Sequence, residues 1–199
     1  MGFLDNLARH SHIIHLQETH GAEEHFAVHC HYICKYFYLI ASGCDSDNSG
    51  GVATLISKNW VTCKRGLQVV KVVPGRVLRT SISDGAKTLV TWNVHNFALT
   101  GTDQQAVETL LQADVEFALH SPDRFGIFLG GDLNFVADGE VTFRPNEISN
   151  DVAARDVADP LGRPGAAFWR RNLRQLTEIA TDTFSHYYAP RNALNRIDR

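Results

Sequence analysis

The feature that most constrains the fold is a change of period near the middle of the chain. From Val52 to Val94 the sequence runs in short β-branched stretches cut by turn residues. These are VATLIS at Val52–Ser57, then Val69–Val73 and Arg76–Ser83 split by Pro74-Gly75, then KTLVTWNV at Lys87–Val94 after the turn Ser83-Asp84-Gly85. Val, Ile, Thr and aromatic side chains suit a pleated, half-buried surface, and Gly, Pro and Asp interrupt it. After Val94 the pattern turns helical. Ala106, Val107, Leu110, Leu111, Val115 and Ala118 share one face over Thr102–His120. Thr102 is the expected N-cap, and Pro122 follows the helix end. Strands and helices do not alternate strictly, which argues against a doubly wound parallel sheet or a (β/α)8 barrel. The pattern points instead to a layered α/β protein with a mixed sheet.

The flanks add further elements. HIIHLQ at His12–Gln17 reads as a strand ending at Glu18, and the aromatic, β-branched run Phe26–Ile40 as one or two strands. Cys44–Gly51 is a polar loop. Phe125–Leu129 is a short apolar strand running into Gly130-Gly131-Asp132-Leu133-Asn134. From Val136 to Pro164 the pattern is a polar loop with one short helix. Ala166–Ile179 is helical, Thr181–Ala189 an edge or hairpin, and Arg196–Arg199 the start of one more strand. No repeat or linker divides the chain, so residues 1–199 read as a single domain.

With 199 residues and 44% apolar composition, the chain can bury a core without metal or disulfide staples. A net charge of −3 excludes DNA binding by bulk positive charge, yet leaves room for a local grip on phosphate. Arg170, Arg171 and Arg174 form the one basic cluster and read as a solvated helix face. No apolar run reaches membrane-spanning length, and the N-terminus lacks a secretory signal and a myristoylation pattern. The expectation is an intracellular protein with no membrane partner, its four cysteines reduced. Both ends read as cut through an element.

Three sites carry candidate chemistry. In GGDLN, two glycines at a strand end permit a tight turn or close approach of a ligand. If the backbone stays extended, Asp132 and Asn134 share a face, a carboxylate to take a proton from water and an amide to orient it. An Asx turn after a buried strand explains the same residues equally well. Glu18 ends an apolar strand, where a carboxylate meets either solvent or a metal. Asn93 and His95 share a face at the end of TWNVH, where an imidazole can hold a phosphoryl oxygen or simply sit beside a turn.

Together, HIIHLQETH, SGGVATLI, TWNVHN, FLGGDLN and the closing NRIDR resemble the endonuclease/exonuclease/phosphatase superfamily of DNase I-like proteins, in the order that superfamily shows them. Gly75-Arg76 and DTFSHYYAPRNALNRIDR look most like the endonuclease domains of non-LTR retrotransposons, which are associated with reverse transcriptase. The resemblance implies a four-layer α/β sandwich, two facing mixed sheets covered by the helices Thr102–His120 and Ala166–Ile179. It implies Mg²⁺ (or Mn²⁺) bound at Glu18 and Asp132 activating or aligning the attacking water, with Asn134 orienting it. It further implies His95 on the scissile phosphate, Asn93 and Arg76 as phosphate contacts, and Asp198 bonded to a histidine of a later Ser-Asp-His motif. DNA is the implied partner, with a nuclear location if the parent is a retroelement; no protein partner is evident. Against that pattern, the opening strand and the Ser-Asp-His segment are missing, so the fold is expected to be incomplete at both termini and the 199-residue chain weakly active or inactive.

Two other classes remain open. A phosphatase or phosphodiesterase of the same superfamily would act on a lipid or a nucleotide, and fold does not choose between these substrates. A non-catalytic remnant or binding module would keep the fold without the chemistry. A zinc site from the histidine-rich N-terminal region finds no four-ligand pattern on a strand.

Overall fold

Val, Ile and Thr dominate VATLIS, and a run this apolar on both faces belongs in the middle of a sheet. A computed structural model describes residues 10–44, 50–61, 66–133 and 166–177, with the backbone of 186–188 and 193–195. The chain divides into two units, Met1–Gly131 and Asp132–Arg199.

In the first unit, β1 (Ile13–Gln17), β2 (Phe37–Ser42) and β3 (Val52–Ser57) form a sheet in the order β1-β3-β2, with β3 antiparallel to both neighbours. All six residues of β3 are buried, as a central strand between two layers requires. The second sheet has the order β4-β5-β6-β7, from β4 (Leu67–Val73), β5 (Val77–Ser83), β6 (Thr88–His95) and β7 (Phe125–Asp132). β4, β5 and β6 are antiparallel. At one end of the β6/β7 pair the Thr88 N–H donates to the Arg124 carbonyl at 2.7 Å. At the other end Gly131 lies against the Val94 backbone, so β6 and β7 run in the same direction and this sheet is mixed. A parallel pair needs a crossover connection, which the intervening helix supplies.

The sheets face one another through Ile40, Val52 and Ile56 on one side and Leu78 and Ile82 on the other. The outer face of the first sheet, Phe37 and Leu55, is covered by Cys30 and Ile33. Cys30 lies at the junction between α1 (Glu23–His29) and a following 3-10 turn, His31–Lys35, and Ile33 lies in that turn. The outer face of the second sheet is covered by α2 (Gly101–His120), which buries Val107, Leu111, Asp114 and Val115 at helical spacing. Helix, sheet, sheet and helix make the four layers.

Two local expectations in the first unit need correction. Much of the run Phe26–Ile40 is helical, and only Phe37 onward is strand. Glu23 and Glu24 in the first turn and His29 in the last complement the helix dipole, and tertiary packing of Cys30 and Ile33 overrides the β propensity of the run. The N-cap of α2 is Thr100, not Thr102. Asp103 stands at N3 of that start, so its carboxylate accepts from the Thr100 N–H at 2.9 Å while the Thr100 hydroxyl accepts from the Asp103 N–H at 3.2 Å.

In the second unit α3 (Ala166–Leu173) buries Phe168 and Trp169, whose rings meet edge-on at 5.1 Å. This helix is shorter than the expected Ala166–Ile179, because the Leu176 N–H closes a tighter turn on the Leu173 carbonyl at 2.9 Å. β8 (His186–Tyr188) and β9 (Ala193–Asn195) pair antiparallel. The expected loop from Val136 to Pro164 and the strand at Arg196–Arg199 lie outside the described residues.

Candidate active site

The site begins with a turn that the sequence dictates. In Val73-Pro74-Gly75-Arg76, proline pre-sets the second position and glycine takes φ +66° at the third, while the Arg76 N–H returns to the Val73 carbonyl at 3.0 Å. These are the requirements of a type II turn. The turn is clamped from two sides. The Gly75 N–H donates to Ser42 Oγ at 2.9 Å, and the Gly75 carbonyl accepts from the Gly51 N–H at 2.9 Å. Arg76 is thereby held beside the end of β6, where its carbonyl accepts from the His95 N–H at 2.7 Å.

Glycines 50 and 51 make room on the opposite side. A Cβ on Gly50 would lie 2.7 Å from Arg76 Nη1, and one on Gly51 would collide with the Thr19 hydroxyl. The backbone after β1 is therefore drawn onto this pair, with the Thr19 N–H on the Gly51 carbonyl at 3.2 Å and the His20 N–H on the Gly50 carbonyl at 2.9 Å. Glu18 and His20 both adopt positive φ, 52° and 54°. Side chains other than glycine rarely hold that conformation without compensation from the surroundings, and such strain gathers at functional positions.

Glu18, His95 and Arg76 meet in a line. His95 is fully buried, and its Nδ1 lies 3.0 Å from Arg76 Nη1. A guanidinium has no acceptor, so Nδ1 carries the lone pair and, in the neutral ring, the proton sits on Nε2. Nε2 faces Glu18 Oε1 at 3.6 Å, a charge contact longer than a hydrogen bond. Arg76 draws electron density from the imidazole and makes Nε2–H a better donor. Phe97 completes the cluster. Its ring stacks near-parallel to His95 at 5.9 Å, and the Arg76 guanidinium lies 4.9 Å from its centroid.

Asn93, two residues earlier on the same face of β6, is fully buried between the sheets. Its Oδ1 accepts from Gln17 Nε2 at 2.7 Å, and its Nδ2 donates to the carbonyls of Ala53 at 2.8 Å and Leu16 at 3.2 Å. His15 lies one step further in, with Nε2 2.6 Å from Thr91 Oγ1 and a bond to the Gly130 backbone. Burial holds this imidazole down to about 4, against an ordinary 6.5. Asn93 and His15 thus tie the two sheets together immediately behind the site. Asp132 closes β7 and opens the second unit. Asn134 and Asp198 lie outside the described residues.

The structure therefore brings together Glu18, His95 and Arg76 from three segments of the first unit. Sequence reasoning missed Phe97, whose signal was an aromatic side chain directly after a polar strand end. It also missed the reason for the double glycine.

Toward a hydrated divalent ion the cluster of Glu18, His95 and Arg76 offers one carboxylate. Mg²⁺ takes oxygen ligands, keeps several waters and shares substrate phosphates. Glu18 is 58% exposed and offers one such carboxylate. Among the described residues no group of three His, Cys, Asp or Glu side chains could enclose an ion. Among the same residues no helix is long and apolar enough to cross a membrane.

The layered sandwich and the strand-end cluster define a class. A profile of the endonuclease/exonuclease/phosphatase family matches residues 2–199, and the chain belongs to that family. Among solved structures it is similar to the AP endonuclease LMAP from Leishmania major, at 14% identity and a TM-score of 0.60, covering 98% of this chain and 70% of that one. It is also similar to TDP2 from Caenorhabditis elegans, at 17% identity and a TM-score of 0.42, over 67% of this chain and 40% of that one. D. rerio TDP2 complexed with single strand DNA product aligns at 13% identity and a TM-score of 0.39, over 68% of this chain and 53% of that one. The chain thus spans 40% to 70% of the length of these proteins. No curated protein sequence matches it.

Proposed function

We propose that the chain carries a divalent-metal-dependent phosphodiester hydrolase site whose substrate is DNA, an endonuclease of the retroelement kind. The observation that carries this reading is the line Glu18–His95–Arg76: an exposed carboxylate, a polarised N–H and a guanidinium in sequence at one end of the sheets. The retroelement assignment rests on Gly75-Arg76 and the closing motif.

In this reading Glu18 holds Mg²⁺ (or Mn²⁺) together with water and substrate oxygens. The ion, when bound, supplies charge neutralisation at the reacting phosphate. His95 donates its Nε2–H to a non-bridging oxygen of the scissile phosphate, and Arg76 keeps the ring in the tautomer that can donate. Asn93 acts from behind, tying β6 to β1 so that His95 and Glu18 keep their spacing. By the family resemblance Asp132 activates or aligns the attacking water, Asn134 orients that water, and Asp198 has as its partner the histidine of a Ser-Asp-His motif that these 199 residues do not contain. Hydrolysis needs a placed nucleophile and stabilisation of the charge that develops on the phosphate, and these roles divide the two tasks.

The test is relaxation of supercoiled plasmid in Mg²⁺ and in EDTA, read at single turnover. Slow nicking in Mg²⁺ alone is expected. Glu18→Gln, His95→Gln and Asp132→Asn should each reduce it by about 100-fold or more, with circular dichroism melts confirming that each variant folds. Nicking that persists in EDTA, or that survives in both Glu18→Gln and His95→Gln, overturns the reading. Release of inorganic phosphate from a monoester in place of nicking moves the site to the phosphatases of the same family.

A further inference from the structure

Phe97 is a large apolar side chain left 50% exposed beside the His95–Arg76 pair. Other aromatic rings such as Phe117 and Trp60 are exposed as well, and what sets Phe97 apart is its place against the His95–Arg76 pair. Its position is nonetheless firmly set. The Phe97 N–H bonds the His95 carbonyl at 2.9 Å, which folds the chain back immediately after β6. The ring stacks near-parallel to His95, 13° between planes, and the Arg76 guanidinium lies over it. The rotamer freedom of the ring is thus already restricted by protein groups, while half of its surface stays open to solvent.

We propose that Phe97 is a stacking platform for a nucleobase of the substrate. This rests on the reading of the site given above and narrows it to a substrate whose base beside the reacting phosphate is unstacked and accessible, as in single-stranded or locally opened DNA. Every nucleobase presents a flat π face, so an aromatic platform accepts bases without regard to sequence. Preorganisation of the ring lowers the ordering cost of binding. A base on the open part of Phe97 lies one ring away from the imidazole that meets the phosphate, so the platform also sets which phosphate is presented to His95.

The experiment measures binding in EDTA by fluorescence anisotropy, with the full chain and two labelled probes. One is an oligothymidylate, and the other is a base-free chain of the same length built from tetrahydrofuran abasic units. Phe97→Ala and Phe97→Leu should each weaken oligothymidylate binding by about tenfold and leave binding of the base-free chain at the parent value. Phe97→Trp should restore oligothymidylate affinity, and its indole fluorescence should be quenched on binding. Equal affinity of parent and Phe97→Ala for oligothymidylate overturns the platform while leaving the phosphodiesterase reading intact. Equal losses on both probes also overturn it, because they show an effect on the phosphate site through His95 and not on the base. Failure of the parent chain to bind either probe overturns the platform and the DNA reading together.

Discussion

At His95 the identity of one neighbour decides what the imidazole can do. Arg76 can only donate, so Nδ1 must accept and Nε2 must carry the proton toward Glu18. A neighbour able to accept would reverse the tautomer and turn a donor into an acceptor at the same place. Thr80 on β5 is fully buried on the face toward the other sheet, and among the described residues its hydroxyl has no hydrogen-bond partner. A buried hydroxyl without a partner retains its desolvation cost. Thr80→Val replaces it with a methyl group of similar shape and should stabilise the chain by about 1 kcal/mol, measured as an increase in the urea midpoint at constant m-value. An unchanged or lowered midpoint would mean that the hydroxyl is satisfied in solution.

At the scale of elements, α2 is fastened to the second sheet by a charge as well as by apolar packing. Asp114 lies on the buried face of α2 and accepts both Arg79 Nε at 2.8 Å and Arg79 Nη2 at 2.6 Å. It also accepts Trp92 Nε1 at 2.9 Å. The bidentate fork on β5 and the indole on β6 fix the helix in register against both strands. Asp114→Ala leaves a guanidinium and an indole N–H buried without their acceptor. It should cost about 3–5 kcal/mol, read from denaturant unfolding. Asp114→Asn should cost less, because the amide oxygen keeps one bond. A loss below about 1 kcal/mol in Asp114→Ala would show that the pair is solvated and not structural.

At the scale of the molecule, the two sheets of the first unit are joined by apolar contacts on one side and by the His15–Thr91 and Gln17–Asn93 hydrogen bonds nearer the site. His15 makes this junction sensitive to acid. Its folded-state value lies at about 4 and its ordinary one at 6.5, so between those pH values the unfolded chain binds the proton and the folded chain does not. The contribution is therefore complete above pH 6.5 and lost as pH falls toward 4. The loss amounts to at most about 3 kcal/mol. Urea midpoints at pH 7.5 and 4.5 should differ by more in the parent than in His15→Gln, which cannot titrate there. The same pH dependence in both proteins would assign the acid sensitivity to other groups.

Much of this architecture is legible in the residues because its causes are local. Val52–Ser57 is a strand wherever it falls, since a short β-branched run with turn signals on both sides has few other uses. Pro74-Gly75 requires a type II turn, and Gly51 excludes a side chain against Thr19. The motif order led to the family, and the family profile over residues 2–199 agrees with it. The Phe26–Ile40 run was misread because a local preference for strand was opposed by a distant partner, the outer face of β2 and β3, which favoured a helix and a 3-10 turn. Thr102 was misread as the cap because two threonines compete there, and only the Thr100 start places Asp103 within reach.

The sequence by itself determined most of the strands, the long helix and the tight turns, because backbone sterics, side-chain period and turn chemistry act over a few positions. Only the tertiary structure decided that Glu18, Arg76 and His95 meet, that Arg76 sets the tautomer of His95, and that Asn93 serves the junction of the sheets. Those contacts join segments up to 77 positions apart, as in the bond from Asn93 to Leu16. They exist only once two sheets have been pressed face to face and two glycines have let the loops between them close.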